Sequence, residues 1–480
     1  MAWMIKRLLV LFLMTENYVY AQTEQPDSIS RPASKIYSDP TFLTRVLMGS
    51  NYRDVWGTPV KSPVFYMSQH NFKILKLGGG QQTLSLRLED KEGKEWVLRT
   101  LDKDLSKLRL PKFLPKEFII PIAQEQISAA FPYSHTIVYS LAKAAGIVAA
   151  KPTLYWVADD PGLGDFRQQF ANKYAVLEQR EPTPDDSDTK STTTVLENVL
   201  GENHFKIVQQ KVLKARLLDM LVADWDRHAD QWRWDKVDSG KLNLYYAIPR
   251  DRDQAFFLSN GLVVKIMQLF GFKQLSGFKP EPELKRINWK SWNFDRSFLN
   301  ELDQHDWEKS IAEFQSALPD SVIEAAVRTM PPEIFAMEGE NFIHKLKSRR
   351  DGLNEEVIEY YEHISRVVVV NGTEEAEEFT LTSREDSLIL SIKDKKTSRP
   401  SYTRSFDPGI TWKLIIDARA GNDVFYMDES VSSPVRVEIK GGAGADNFYL
   451  KGKVRTKVFD DRSPSNTFDL GRKVKKKLSR

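Results

Sequence analysis

Two acidic clusters near the middle of the chain carry the residue types that phosphate chemistry requires. The first holds Asp226 and, five residues later, the amide side chain of Gln231, and the second holds Asp251 and Asp253 among arginines. Carboxylate and amide oxygens are the ligands that hard cations such as Mg²⁺ prefer, and a carboxylate beside an acceptor hydroxyl can orient or deprotonate it. The two clusters therefore predict metal-assisted phosphoryl transfer, which needs a base, oxygen ligands and cations on the phosphates.

Regular elements are expected to hold the two clusters in place. An apolar periodicity from Phe205 to Leu221 predicts a helix that leads into the first cluster. Two strand-like runs, Trp232 to Trp234 and Leu242 to Ile248, are joined by a turn at residues 238–240 and predict a hairpin between the clusters. The two tryptophans of this hairpin are expected to pack in the core. The order helix, acidic loop, hairpin, acidic loop would present both clusters to one ligand.

Residues upstream supply groups that could contact phosphates. A glycine run with Gly79 and Gly80 opens a predicted antiparallel hairpin, and its backbone could approach a phosphate closely. Arg99, on the second strand of that hairpin, would direct a permanent cation inward, with Lys103 as an alternative. Glu125, on a predicted helix, could tether Arg99 by an ion pair.

The two clusters resemble those of an atypical, protein-kinase-like family that includes the spore-coat kinase CotH, HipA-type kinases, secreted Fam20 kinases and phosphoinositide kinases. The resemblance covers residues 75–360 approximately and implies that Asp226 is the catalytic base. It also implies that Gln231 takes a metal-ligand position. Asp251 would be the principal metal ligand, and Asp253 resembles the second Asp of a D-x-D pair.

The same resemblance implies the cofactors and the nucleotide contacts. The expected cofactors are Mg²⁺ or Mn²⁺ with ATP or another nucleotide, and the acceptor, a protein or a small molecule, is left open. Residues Tyr174 to Arg180 resemble the strand and hinge that meet the adenine, which makes Glu178 a nucleotide-binding candidate. The stretch also resembles a region of exported Bacteroidetes proteins, where it often lies behind a metallophosphoesterase domain.

Departures from the family pattern keep other interpretations open. Arg99 stands where the family has a nucleotide-binding Lys, and the two are not equivalent phosphate ligands. Gln231 stands where the family usually has Asn, which moves the ligand oxygen by a methylene. Asp224, Asp226 and Asp230 could instead form a surface turn held by ion pairs. An active phosphotransferase is the preferred function, and a catalytically inactive pseudokinase or a cell-surface binding protein is the alternative.

Composition and the N-terminus bear on the compartment. The 480-residue chain has a net charge of +3, too small to indicate nucleic-acid or membrane binding, and it has no cysteine for disulfides or thiolate metal sites. Lys6 and Arg7 precede an apolar run, and a small-residue cleavage pattern ends at Ala21, which predicts a signal peptide. No later stretch predicts a transmembrane helix. We expect an exported protein that is periplasmic, cell-surface or secreted.

The predicted fold is α+β, with a two-lobed protein-kinase-like domain followed by a small all-β domain. A polar segment at residues 182–194 predicts a loop or disordered insert rather than core. The expected boundaries are 1–21 for the signal peptide, 22–74 for a flexible lead-in and helical linker, 75–182 for the N-lobe and hinge, 183–365 for the helical C-lobe and 366–480 for the β domain.

The last domain contains a weak repeat. Residues 420–425 and 444–448 share a Gly, Asp, Phe arrangement inside strand-like patterns, and residues 441–446 match the start of the calcium-binding β-roll nonapeptide. Such rolls complete each calcium site from several stacked repeats. Because two imperfect units are visible, β-structure with glycine turns is favoured, and Ca²⁺ is kept as a cofactor candidate for this domain.

Overall fold

The computed structural model describes residues 25–78, 83–103, 105, 116–183, 187–460 and 465–478. The expected signal peptide, 1–21, and two of the expected phosphate contacts, Gly79 and Gly80, lie outside the described residues. Within the described part of the chain, no helix has both the length and the apolar character needed to cross a membrane.

The first lobe is built on a seven-stranded sheet. Its strands are β1 (Ser28–Pro32), β2 (Pro59–Phe65), β3 (Lys73–Gly78), β4 (Ser85–Glu89), β5 (Glu95–Thr100), β6 (Thr153–Val157) and β7 (Lys173–Gln179). They lie in the order β1-β2-β6-β7-β5-β4-β3 and pair antiparallel, except that β2 and β6 are parallel. Leu86 and Leu88 of β4 alternate with polar residues and are buried, as the period of a strand requires. The sheet places β5, which carries Arg99, between the hairpin strand β4 and the hinge strand β7.

The N-terminal segment is not the flexible lead-in that its polar composition predicts. Ser28–Pro32 forms β1 and pairs antiparallel with β2, with Ser28 opposite Pro63 and Pro32 opposite Pro59. Main-chain pairing with a neighbouring strand orders a segment whose side chains provide little apolar driving force. The sheet of the first lobe therefore begins inside the range 22–74, ahead of the predicted start at residue 75.

The helices of the first lobe frame this sheet. An apolar helical pattern at residues 42–56 is divided between two short helices, and a similar pattern at residues 124–130 covers only the end of one helix and the turn after it. The helices are α1 (Phe42–Met48), α2 (Arg53–Gly57), α3 (Lys116–Gln126), α4 (Ser134–Ala144) and the short α5 (Arg167–Phe170).

The second lobe is mainly helical. The predicted hairpin between the acidic clusters is confirmed, and its Trp232 and Trp234 are buried and stacked on Phe294 and Phe298. Its small sheet contains β8 (Lys190–Ser191), β9 (Phe205–Ile207), β10 (Trp232–Asp238) and β11 (Asn243–Pro249) in the order β8-β10-β11-β9. Its helices are α6 (Thr192–Gly201), α7 (Gln209–Leu221), α8 (Leu262–Leu269), α9 (Leu284–Ile287), α10 (Trp292–Phe298), α11 (Gln304–Ser316), α12 (Asp320–Val327), α13 (Pro332–Asp351) and α14 (Leu353–Ser365).

The polar segment 182–194 is a loop only in part, because β8 pairs with β10 and α6 begins at Thr192. The side chain of Ser191 accepts a hydrogen bond from the Thr194 N–H, so polar residues that suggest a loop here cap a helix. An apolar helical pattern at residues 342–361 is divided between two helices, because α13 ends at Asp351 and α14 begins at Leu353.

The C-terminal unit is a two-sheet β-solenoid. α14 ends at Ser365 and the first strand begins at Val367. The first sheet contains, in spatial order and all parallel, β12 (Val367–Asn371), β16 (Lys413–Asp417), β18 (Arg436–Lys440), β20 (Thr456–Asp460) and β22 (Val474–Leu478). The second contains β15 (Pro400–Phe406), β14 (Ser387–Asp394), β13 (Glu377–Arg384), β17 (Val424–Met427), β19 (Asn447–Leu450) and β21 (Thr467–Leu470), the last four parallel. In this second sheet β13, β14 and β15 form an antiparallel meander, and from β15 onward successive strands alternate between the sheets.

The weak sequence repeat is a rung of this solenoid. Phe379, Phe425, Phe448 and Phe468 occupy equivalent positions on successive rungs, with ring centroids 4.7, 4.8 and 5.0 Å apart. Each rung alone is too small to bury its apolar face, so stacking creates a shared core. The chain is thus α+β, with a two-lobed domain followed by an all-β unit, which confirms the predicted fold class.

Candidate active site

Asp219, near the end of α7, ties both acidic clusters to the core. Its fully buried carboxylate accepts hydrogen bonds from Arg216 and Arg227, each at 3.1 Å, and from Arg252 at 2.9 Å. Burial alone would raise the pKa of Asp219, but the three guanidinium groups hold it below its usual value. Because Arg227 belongs to the first cluster and Arg252 to the second, one carboxylate positions both loops.

Asp226 follows this anchored segment and lines the cleft between the lobes. Its N–H donates to Asp224 Oδ1 at 3.3 Å, and its Oδ1 lies 3.6 Å from Lys290 Nζ. Lys290 in turn lies over the ring of Trp225, 4.7 Å from its centroid. Asp224 is buried, and burial raises its pKa to about 7 although Arg227 opposes this. The cluster is therefore not a surface turn, since Asp224 lies in the core while Asp226 faces the cleft.

Gln231 lines the same cleft from the end of this loop. Its N–H donates to the carbonyl of His228 at 3.0 Å, and its own carbonyl accepts from Arg227 Nη2 at 3.3 Å. His228 Nδ1 accepts the N–H of Asp230 at 3.3 Å, so the imidazole stabilises the loop. Main-chain and ring hydrogen bonds thus hold the loop that carries Asp226 and Gln231.

Asp251 and Asp253 enter the cleft from the loop after β11. Asp251 has a φ of 55°, a left-handed conformation that is uncommon for a residue with a side chain and that occurs preferentially at functional sites. Its Oδ1 forms an ion pair with Arg99 Nη1, and Asp253 Oδ2 lies 2.6 Å from Lys103 Nζ. Each of the two carboxylates among the three predicted metal ligands therefore has a cation of the first lobe as its partner.

Burial and charge pairing act in opposite directions on these groups. Burial alone would lower the pKa of Arg99 and of Lys103, yet the facing carboxylates, chiefly Asp251 and Asp253 respectively, raise both above their usual values. Burial alone would raise the pKa of Asp253, yet Lys103 brings it below its usual value. Arg99, Lys103 and Asp253 are therefore all charged at neutral pH.

The two glutamates predicted near Arg99 occupy different places. Glu178 of β7 faces Arg99 on the adjacent strand β5, with Oε1 3.6 Å from Nη2. Glu125 of α3 pairs instead with the buried Arg53 of α2, with 2.7 Å between Oε2 and Nη2. The predicted Glu125–Arg99 ion pair is thus wrong. Helical periodicity shows which face of α3 carries Glu125 but not which cation packs against that face.

A polar cleft of about 450 Å³ brings these side chains together. Its walls come from β4 and β5, from the loop before β10, from the loop after β11 and from Lys290. Among the described lining residues there is an excess of two positive charges, which favours an anionic ligand. The cations are Arg87, Arg99, Lys103, Arg250 and Lys290, and the anions are Asp226, Asp251 and Asp253.

A second cavity adjoins the cleft where β7 ends. It is lined by Glu178 and Arg180 of the predicted hinge and by His135 of α4, and it shares Arg250 and Asp251 with the cleft. Burial lowers the pKa of His135, so the imidazole is neutral at neutral pH. The hinge residues and the acidic clusters therefore line adjoining cavities that share Arg250 and Asp251.

The donor set suits a hard divalent cation in its chemistry. Asp251, Asp253 and Gln231 offer carboxylate and amide oxygens to one cleft. Among the described residues no group of three or more His, Asp or Glu side chains forms a preassembled metal cluster, and this includes the β-solenoid considered for Ca²⁺. A metal ion held by Asp251 and Asp253 would compete with Arg99 and Lys103 for their oxygens.

Three positioning residues escape the sequence analysis. Asp219 carries a recognisable signal, because an Asp with an Arg three residues earlier lies inside an apolar helical pattern that buries both. Arg53, the partner of Glu125, lies in a short helix far upstream. Lys290 is far along the chain from Asp226 and nothing local marks it.

The chain matches no family model and no curated protein. Among solved structures it is similar to the Helicobacter pylori proinflammatory kinase CtkA, at 13% identity and a TM-score of 0.35 over 62% of this chain and 99% of that one. It is similar to the Golgi casein kinase at 11% identity and a TM-score of 0.33, over 74% and 90% of the two chains. It is also similar to HipA of Shewanella oneidensis MR-1, at 13% identity and a TM-score of 0.31, over 60% and 67%. These scores are too low to support a functional argument, so the side chains of the cleft must carry it.

Proposed function

We propose that this protein is a kinase-like phosphotransferase that uses a nucleotide and a divalent metal. The observation that carries the proposal is the meeting of Asp226, Asp251 and Asp253 with Arg99 and Lys103 in one cleft, although they come from distant parts of the chain. A base, oxygen ligands and phosphate-binding cations are the groups that phosphoryl transfer requires. The acceptor is a protein or small molecule with a hydroxyl group.

The charge of the cleft supports a polyphosphate donor. Five cationic and three acidic side chains line it, so the cleft attracts an anion before any specific contact is made. Asp251 pairs with Arg99 and Asp253 pairs with Lys103. Arg87 and Arg250 take no part in these two ion pairs, so they could contact phosphate oxygens. The nucleoside would occupy the adjoining cavity, where Glu178 and the other hinge residues lie.

In the proposed reaction Asp226 accepts the proton of the acceptor hydroxyl as its oxygen attacks the terminal phosphorus of the donor. The bond from that phosphorus to the bridging oxygen breaks, and the nucleoside diphosphate leaves with the bonding electron pair. Lys290 orients Asp226 through their 3.6 Å contact. Arg99 and Lys103 neutralise charge on the phosphates, which is the largest contribution that side chains make to this chemistry.

Asp251, Asp253 and Gln231 would hold Mg²⁺ or Mn²⁺. When bound, such an ion supplies charge neutralisation on the donor phosphates. Because Asp251 and Asp253 pair with Arg99 and Lys103, binding of metal and of phosphate is coupled: carboxylates released to the metal also release the two cations to the phosphate. We expect each ligand to bind weakly alone and tightly in the presence of the other.

A catalytically inactive nucleotide-binding protein is the second candidate, and one observation favours it. Both metal-binding carboxylates are neutralised by side chains of the protein itself, which compete with a metal ion. The compartment is part of the proposal as well. We propose that the protein acts after export directed by residues 1–21.

Thermal unfolding with Mn²⁺ and ATP, together and separately, tests the site. A ligand at roughly 100-fold excess over its Kd stabilises the folded chain by about 2.7 kcal/mol. We expect this for the combination in the chain from Gln22 onward, and its loss in Asp251→Asn. The matched control is Asp230→Asn, because Asp230 is 94% exposed on the same loop as Asp226. Absence of stabilisation by any nucleotide–metal combination would refute the proposal.

Transfer activity separates the two candidates. Release of ADP and labelling of protein or small-molecule hydroxyls from radiolabelled ATP would be measured for the wild type and for Asp226→Asn. Stabilisation by Mn²⁺ and ATP with turnover that Asp226→Asn abolishes supports the phosphotransferase. Stabilisation that persists in Asp226→Asn, with no turnover in either protein, supports the inactive nucleotide-binding protein instead.

A further inference from the structure

Two helices from distant parts of the chain form an exposed apolar surface beside the catalytic cleft. α1 contributes Phe42 and Leu43, which are 83% and 63% exposed. α8 and the turn after it contribute Ile266, Leu269 and Phe270, of which the last two are 83% and 80% exposed. Phe272 extends the same surface. We call these six residues the apolar rim.

The rim has a defined position in the fold, because its two helices pack against each other. α1 and α8 are in contact, and Ser50 donates its N–H to Asn260 Oδ1 at 3.0 Å just beyond them. A Cβ on Gly261 would lie 2.4 Å from the main-chain carbon of Met48, so only glycine permits this approach. The opposite face of α8 is buried through Val264.

The rim also adjoins the loop that carries Asp226. Val264 packs with Phe257 in a small cluster that Trp225 contacts, and Trp225 precedes Asp226 in the cleft. Lys273 lies over the ring of Trp289, 5.0 Å from its centroid, immediately before Lys290 of the cleft. A surface that engages the rim would therefore lie beside the side of the cleft that carries the proposed base.

The charged residues on the rim's own two helices and on the turn after α8 are all cationic. Lys265 and Lys273 are exposed on α8 and after it, and Arg45 is exposed on α1. The sequence contains no Asp or Glu from residue 40 to 53 or from residue 254 to 280. A monomeric protein rarely leaves several large apolar side chains exposed together, and a surface both apolar and cationic matches an occupant that is apolar and anionic.

We propose that the apolar rim binds the surface of an anionic lipid bilayer. Its largest side chains protrude almost fully into solvent, so they cannot line a groove for a peptide, whereas acyl chains accept protruding side chains without a preformed pocket. Lys265, Lys273 and Arg45 would contact anionic headgroups. Binding would place the cleft at the membrane surface, where acceptors attached to the membrane are concentrated. The inference does not depend on the proposed function.

Vesicle co-sedimentation of the chain from Gln22 onward tests this proposal. Phosphatidylcholine vesicles with and without phosphatidylglycerol are the two probes. We expect binding to the anionic vesicles alone, weakened on the order of a hundredfold in Leu269→Ser/Phe270→Ser. We expect a weakening of roughly fivefold for each of Lys265→Gln and Lys273→Gln. The control is Tyr426→Ser/Tyr449→Ser, which removes two aromatic side chains that are 48% and 44% exposed on the β-solenoid, and which should bind as the wild type does.

The other outcomes overturn the proposal. No binding to anionic vesicles, or binding that survives in Leu269→Ser/Phe270→Ser, shows that the rim does not contact lipid. Sedimentation velocity without lipid tests the rival occupant. A wild-type dimer that this double variant converts to a monomer, together with the absence of vesicle binding, assigns the rim to a second copy of the chain. Circular dichroism of each variant confirms that these exposed substitutions leave the fold intact.

Discussion

Arg252 donates a 2.9 Å hydrogen bond from Nε to Oδ1 of the fully buried Asp219. Arg227 uses the other oxygen of the same carboxylate, so Asp219 joins the loop of the proposed base to the loop of the proposed metal ligands. All three groups are charged and buried, and burying any of them without its partners would cost free energy of desolvation.

Asp219→Ala is expected to destabilise the chain by about 3–5 kcal/mol, because it leaves buried guanidinium groups without a counter-charge. Urea denaturation followed by circular dichroism measures the change in the free energy of unfolding. Asp230→Ala, on the exposed surface of the same region, is expected to change it by less than about 0.5 kcal/mol. A loss no larger than that of the control would show that Asp219 is not the joint between the loops.

Arg99→Gln and Lys103→Gln are each expected to weaken Mn²⁺–ATP binding about 10- to 100-fold, the loss of one charge-assisted contact with phosphate. Each substitution also frees a carboxylate, so Mn²⁺ alone is expected to bind more tightly than to the wild type. Isothermal titration calorimetry measures both affinities. If metal and nucleotide affinities fall together, Arg99 and Lys103 do not exchange between carboxylate and phosphate.

Glu125→Gln distinguishes the Glu125–Arg53 ion pair of the structure from the Glu125–Arg99 ion pair that the sequence suggested. Because Glu125 pairs with the buried Arg53, the substitution is expected to lower the free energy of unfolding by about 1–3 kcal/mol. The affinity for Mn²⁺–ATP should stay within about twofold of the wild type, since Arg99 keeps Asp251 and Glu178 as partners. A large loss of nucleotide affinity without a loss of stability would restore the Glu125–Arg99 tether.

The β-solenoid carries a ladder of buried carboxylates. Asp423 Oδ1 accepts the N–H of Glu377 at 2.8 Å, and Asp446 Oδ1 accepts the N–H of Asp423 at 2.9 Å. Burial raises the pKa of Asp423 to about 8, with the charges of Asp446 and Glu377 adding to the effect and Lys395 opposing it. Burial likewise raises the pKa of Glu377 to about 7, although the main chain of Thr373 opposes this.

These raised pKa values make stability depend on pH. In the unfolded chain the same carboxyls titrate near pH ~4, so between that value and the folded-state values the folded protein binds more protons. Together the two carboxyls are therefore expected to lower the free energy of unfolding by roughly 2.7 kcal/mol per pH unit from about pH 5 to about pH 7, and by roughly 1.4 kcal/mol per unit from about pH 7 to about pH 8. Urea denaturation at several pH values measures the slope.

Asp423→Asn should roughly halve the slope below about pH 7, because Asp423 no longer titrates while Glu377 still does, whereas the exposed Asp386→Asn should leave the slope unchanged. A slope of the opposite sign, or one that Asp423→Asn does not alter, would contradict the assignment of the pH dependence to this ladder.

The stacked phenylalanine rings are expected to contribute to the stability of the solenoid. Phe448→Ala removes a ring that contacts Phe425 and Phe468 on both sides, and should cost about 3–5 kcal/mol. Tyr449→Ala, next to it on β19 but 44% exposed, is the matched control and should change stability far less. Equal effects of the two substitutions in urea denaturation would show that the stack does not stabilise the rungs.

Local patterns in the sequence were enough to predict the two acidic clusters, the helix before them, the hairpin between them and the buried Trp232 and Trp234. These features depend on residues a few positions apart, and periodicity reports such short-range relationships directly. The α+β class and the all-β end of the chain follow for the same reason. The roles assigned to Asp226, Gln231, Asp251 and Asp253 stay predictions.

Only the tertiary structure decided which charged groups meet. The partner of Glu125 is Arg53 rather than Arg99, and Asp226 meets Lys290. β1 is ordered by pairing with β2, and the repeat near residue 425 becomes a parallel stack because each strand lies on the one before it. Ion pairs and parallel strand contacts join residues far apart in the chain, and their energies depend on burial and distance, which no local pattern encodes.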